Sequence, residues 1–132
     1  MAFHRVFIAD DSLAFVDSAK RFLTLEPTMV IVGHAASARV VLERIAELRP
    51  DLLLLSVNLP GAGGLEFVPR IKALAHAPSV IVLALDDLED YRTAAIHAGA
   101  DGFVAKTKFV MQLAPAIAAI DAKALACVKI HD

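Results

Sequence analysis

Residues 52–55 read Leu52-Leu53-Leu54-Leu55, and residues 79–83 read Ser79-Val80-Ile81-Val82-Leu83. Neither run alternates between apolar and polar side chains. An unbroken apolar run of strand length marks a strand buried on both faces of a sheet, because each face then needs its own apolar residues. Such a sheet requires helices above and below it. Three more short runs, Arg5–Ala9, Met29–Gly33 and Gly102–Ala105, complete a set of candidate strands. Between them, apolar residues recur at helical spacing.

Phe15, Ala19, Phe22 and Leu23 predict one helix face. Val40, Val41, Ile45 and Leu48 predict a second, with Glu43, Arg44 and Glu47 toward solvent. Leu65, Val68, Ile71 and Leu74 predict a third, in which Pro69 is tolerable only near the start. A fourth helix is expected over Glu89–Ala98, stopped by Gly99, and a fifth from about Lys108 to Ala122. Strands alternating with helices imply right-handed β-α-β units and a parallel sheet covered on both faces. Five units in this length match the α/β flavodoxin-like doubly wound (βα)5 fold, strand order 2-1-3-4-5, whose chemistry sits at the carboxyl ends of the strands.

Composition narrows the class. The length of 132 residues fits one domain, expected over residues 1–122, with 123–132 a tail or the start of a linker to an absent output domain. At 58% hydrophobic and 21% charged residues the chain is too apolar to be disordered. Its apolar runs fall well short of the roughly 18 residues of a membrane helix. Asp10 and Asp11 come too early for a secretory signal, so a soluble, cytoplasmic domain without membrane contact is expected. Thirteen basic against 15 acidic residues give a net charge of −2, which argues against nucleic-acid binding by this domain itself. The single Cys127 offers no internal disulfide, and the histidines at 4, 34, 76, 97 and 131 lack metal-ligand spacing.

The strand ends carry the chemistry. After the first run stand Asp10, Asp11 and Ser12; adjacent carboxylates repel unless a cation or a lysine neutralises them. They read as a hard-metal site, as the cap of the first helix, or as both. The third run ends at Ser56, followed by Val57-Asn58-Leu59-Pro60-Gly61; the fourth ends at Leu83-Ala84; the fifth is followed by Lys106, placed to reach toward the acidic pair.

From about Arg5 to Ala119 the chain resembles the CheY-like receiver domain of two-component response regulators, in particular the branch of transcription factors with a C-terminal helix-turn-helix. The residues carrying the resemblance are Ile8-Ala9-Asp10-Asp11-Ser12, the Asn58-Leu59-Pro60-Gly61 loop with Gly64, Gly99-Ala100-Asp101-Gly102-Phe103, and Lys106. The resemblance implies phosphorelay signal transduction and transcription regulation rather than catalysis as an enzyme. In a working receiver an aspartate ending the third strand accepts a phosphoryl group from a histidine kinase. By position, Asp10 and Asp11 would be the metal pair, Asn58 a carbonyl ligand, Lys106 the phosphate-contact lysine and Phe103 the switch aromatic. The group added there biases a two-state face by its charge and acceptors.

Two positions depart from that pattern. Ser56 stands at the phosphoacceptor position, and Ala84 where a threonine or serine would sense the phosphoryl group. A neutral hydroxyl forms no acyl phosphate and adds little to Mg²⁺ affinity, so Mg²⁺ is expected to bind weakly if at all, with no other cofactor. Two accounts stay open. The chain is an atypical receiver that signals by protein–protein contact without phosphorylation, or a variant of an ordinary phosphoacceptor whose parent carried aspartate at 56 and regulated an attached DNA-binding domain. Expected partners are a histidine kinase or other signalling protein, and a second copy through the fourth helix, fifth strand and fifth helix. A serine hydrolase using Ser56 would need a base within reach, and no Gly-x-Ser-x-Gly elbow surrounds it.

Two further segments have alternative readings. Asp86, Asp87, Glu89 and Asp90 form either a solvated loop with an acidic helix start or fixed charge replacing part of what a phosphoryl group supplies. In the last segment Val110, Leu113, Ile117 and Ile120 lie at helical spacing, with Pro115 requiring a bend or a late start. The face they form packs on the sheet or pairs with a second chain. No helix-turn-helix fits after residue 122.

Overall fold

A computed structural model describes residues 4–131, with side chains through residue 125; the side chains of Cys127 and His131 lie outside the described set. Strands β1 (His4–Ala9), β2 (Met29–Ala35), β3 (Leu52–Ser56), β4 (Ser79–Ala84) and β5 (Gly102–Ala105) alternate with helices α1 (Leu13–Thr24), α2 (Ala38–Leu48), α3 (Phe67–Lys72), α4 (Glu89–His97) and α5 (Phe109–His131). All strand pairs are parallel, and the sheet order is β2-β1-β3-β4-β5. This is the flavodoxin-like doubly wound fold that the apolar runs predict.

The unbroken runs divide by alternation. Leu53, Leu55, Val80, Val82 and Phe103 meet Val41, Ile45, Phe67, Val68, Ile71 and Ala95 of α2, α3 and α4. Leu52, Leu54, Ile81, Leu83 and Val104 meet Val16, Ala19 and Leu23 of α1 and Phe109, Leu113 and Ile117 of α5. Successive strand side chains point to opposite faces, so a strand feeding two cores must be apolar at every position. β2, by contrast, is an edge strand with few fully buried residues.

Two helices are rotated from the predicted face. Val40 is exposed, and Ala38, Val41 and Ile45 face the core. Val110 is also exposed, and Phe109 takes its place beside Leu113 and Ile117. The fifth helix begins at Phe109, so Pro115 falls inside it rather than at its start, and it runs on to His131 instead of ending near Ala122. Pro69 lies in the first turn of α3, as expected. Gly99 follows α4 at φ +106°, a left-handed conformation that costs glycine nothing and ends the helix there.

Candidate functional site

Strand register brings the expected residues to one edge of the sheet. Ala9 pairs with Leu55, Ser56 with Leu83, and Ala84 with Ala105. Asp10, Ser56, Ala84 and Lys106 therefore end four adjacent strands or stand one residue beyond them.

Asp10 is buried to 1% exposure, while Asp11 is exposed to solvent. Asp10 Oδ1 accepts a hydrogen bond from the Ser12 amide at 2.9 Å. Ser12 in turn caps α1, its Oγ accepting from the Phe15 amide at 3.2 Å. Asp10 Oδ2 forms an ion pair with Lys106 Nζ at 2.5 Å. The contact lies outside hydrogen-bonding geometry, and no other donor among the described residues reaches that oxygen. The Lys106 ammonium also lies 4.9 Å from the centre of the Phe15 ring. Phe15 is itself edge-on to Phe109 at 5.2 Å, and Phe22 to the same ring at 5.9 Å.

Ser56 is 2% exposed, and its Oγ accepts from the Asn58 amide at 3.3 Å. Among the described residues no carboxylate or imidazole hydrogen-bonds to that hydroxyl, so the general base of a serine nucleophile is not in place. Asn58 is exposed in the following loop. Ala84 is buried at the end of β4 and presents a methyl group.

Phe103 is not at this edge. Its ring lies 4% exposed in the core on the α4 side, with the Arg92 guanidinium 4.9 Å from its centre. Arg92 Nη2 donates to Asp87 Oδ1 at 3.0 Å, and Gln112 Nε2 donates to Asp87 Oδ2 at 2.9 Å. Gln112 Oε1 accepts from the Ala105 amide at 2.9 Å, and Lys108 Nζ stands 3.8 Å from Asp87. The Arg92 hydrogen bond, then that of Gln112, holds the Asp87 carboxyl below its ordinary pKa, against a smaller opposing effect of burial. Asp86, Glu89 and Asp90 are exposed. The acidic cluster thus divides into one engaged carboxylate and three solvated ones. Phe15, Arg92 and Gln112 carry no motif signal: Phe15 and Arg92 act through cation–ring contacts, and Gln112 reaches Asp87 25 positions away.

A divalent cation fits this edge poorly. Mg²⁺ favours one or two carboxylates with waters, but the one buried carboxylate already faces an ammonium. Ser56 supplies a neutral oxygen, and among the described residues no three His, Cys, Asp or Glu side chains gather as a metal site.

A parallel sheet in this order, with an acidic residue after β1 and a lysine after β5, defines a receiver of the response-regulator type. The chain belongs to the response regulator receiver domain family, whose pattern matches residues 6–118. It is 28% identical over 101 residues to the nitrate/nitrite response regulator protein NarL of Escherichia coli K12, covering 76% of this chain and 47% of NarL. It is 34% identical over 105 residues to a protein-glutamate methylesterase/protein-glutamine glutaminase of Dechloromonas aromatica, covering 79% of this chain and 30% of that protein. The chain therefore spans half or less of these relatives. A crystal structure of a LuxR-family two-component response regulator from Aurantimonas sp. superposes with a TM-score of 0.82 at 27% identity, covering 92% of this chain and 87% of that one. Among the described residues no helix is long and apolar enough to cross a membrane.

Proposed function

We propose that this receiver domain signals by protein–protein contact without taking up a phosphoryl group. The observation that carries the reading is Ser56, buried at the end of β3 with its hydroxyl bound to the Asn58 amide. Ala84 beside it has no hydroxyl with which to contact a phosphoryl oxygen. Asp10, Asp11 and Asn58 are the vestige of a metal set, Lys106 of the phosphate contact, and Phe103 of the switch. The domain is cytoplasmic, is not an enzyme, and binds no nucleic acid itself. Its partners are a histidine kinase or other signalling protein, or a second copy across α4, β5 and α5, where Leu88, Tyr91 and Ile96 are exposed. In a longer protein it would regulate a DNA-binding output domain.

The grouping of Asp10, Lys106 and Asn58 around position 56 favours a second reading, a phosphoacceptor whose only lesion is Ser56. Acetyl phosphate with Mg²⁺, followed by intact mass and sizing, separates the two on this chain and on its Ser56→Asp variant. Neither gains a phosphoryl mass on the first reading. A gain by the variant alone transfers support to the second, and a gain by the unmodified chain overturns the first outright.

A further inference from the structure

We infer that Lys106 is the resident cation of this site, held there by Asp10 and by the ring of Phe15, and that it closes the pocket to divalent metal ions. The inference deepens the phosphorylation-independent reading by naming what neutralises the acidic edge in place of a metal. A carboxylate as buried as Asp10 must be neutralised where it stands. Its Oδ1 takes a backbone amide, and its Oδ2 has the Lys106 ammonium and no hydrogen bond. One negative and one positive charge balance, and Ser56 adds none. A second buried carboxylate at position 56 would leave a surplus negative charge in the pocket for a metal to meet, Asp11 being solvent-exposed; the serine removes that surplus.

Phe15 fixes which cation wins. A lysine at the end of a flexible chain would ordinarily swing into solvent when a divalent ion arrived. Here the face of the Phe15 ring, 4.9 Å from the ammonium, adds its attraction to that of Asp10. The ring cannot follow the lysine outward, because it is wedged against Phe109, which also packs on Phe22. Lys106 is only 17% exposed, so the ammonium has given up much of its water and would have to be rehydrated to leave. Phe15 is thus a positioning residue: it acts on the acidic edge through Lys106.

The test uses the whole chain and no phosphoryl donor. Thermal midpoints are compared in 10 mM MgCl₂ and in NaCl of equal ionic strength, and Mn²⁺-induced broadening of the Asp10–Ser12 amide resonances is followed by NMR. The unmodified chain should shift by less than about 1 °C and show no selective broadening. Lys106→Met, which leaves the buried Asp10 without its counter-ion, should gain about 3–6 °C in Mg²⁺, the response expected near tenfold saturation. Phe15→Leu should show selective broadening at several-fold lower Mn²⁺ than the unmodified chain, and Phe15→Tyr, which keeps the ring face, should restore its metal-blindness. Should Lys106→Met fail to fold, the two Phe15 variants carry the test alone. Equal broadening in the unmodified chain and in Phe15→Leu overturns the inference. That outcome leaves the functional reading standing, because a serine still forms no acyl phosphate; phosphoryl uptake by the unmodified chain sinks that reading whatever the metal result.

Discussion

Asp87 joins elements that its sequence neighbourhood does not connect. One carboxylate accepts from Arg92 of α4 and Gln112 of α5, and through Arg92 it holds a guanidinium over the buried ring of Phe103. Its pKa is lowered on folding, so its contribution to stability is present above the ordinary carboxylate pKa of about 3.9 and is lost as pH falls through the lower folded value. The urea midpoint of Asp87→Asn should therefore fall below that of the unmodified chain at pH 7. The gap should close as both are titrated into the acid range, and narrow with added salt because the group is partly solvated. A gap that is constant with pH would mean that Asp87 acts by shape alone. At this scale the sequence was half legible. Asp10, Ser56, Ala84 and Lys106 could be placed because chain order alone puts them at strand ends. Arg92, Gln112 and Phe15 could not, since hydrogen bonds across 25 positions and cation–ring contacts leave no periodic mark.

Helices showed their existence more clearly than their rotation. Around residue 110, Phe109-Leu113-Ile117 and Val110-Leu113-Ile117 fit a helical stripe about equally well, and only packing against β5 and α1 selects Phe109. Val40 and Val41 pose the same choice, which Ala38 and Ile45 settle in favour of Val41. Pro115 left a choice between a bend and a late start, and α5 begins six residues before it, at Phe109, close to the expected start near Lys108. The ring is exposed, and the carbonyl it leaves unpaired belongs to Met111, itself 74% exposed, so water is at hand where the amide is missing. The apolar face of Phe109, Leu113 and Ile117 then holds the helix together across the break. Pro115→Ala restores the amide without touching that face and should stabilise the domain by about 1–3 kcal/mol. Urea unfolding would show this as a higher midpoint at unchanged slope; a lower midpoint would mean that the proline shapes α5 for its packing.

The whole molecule is one sheet serving two cores, and that much was readable from Leu52–Leu55 before any helix was placed. Its consequence is mechanical. Leu53 belongs to the layer under α2, α3 and α4, and Leu54 to the layer under α1 and α5. β3 pairs with β1 and β4, so damage to either layer disturbs the same backbone ladder. Leu53→Ala and Leu54→Ala should each cost about 2–5 kcal/mol and each lower a single unfolding transition. The sequence supplies a local reporter: with no tryptophan and one tyrosine, Tyr91 emission reads α4 alone. If the layers are one cooperative unit, Leu54→Ala moves the Tyr91 transition in step with the far-UV signal although the substitution lies on the opposite side of the sheet. A Tyr91 transition that ignores Leu54→Ala would mean that α4 unfolds independently. The distinction bears on signalling, because Lys106 and Phe15 sit at the α1–α5 layer while Arg92 and Phe103 belong to the α4 layer. A sheet that unfolds as one body ties the two layers together energetically, which gives a partner bound at the first a route to bias the second.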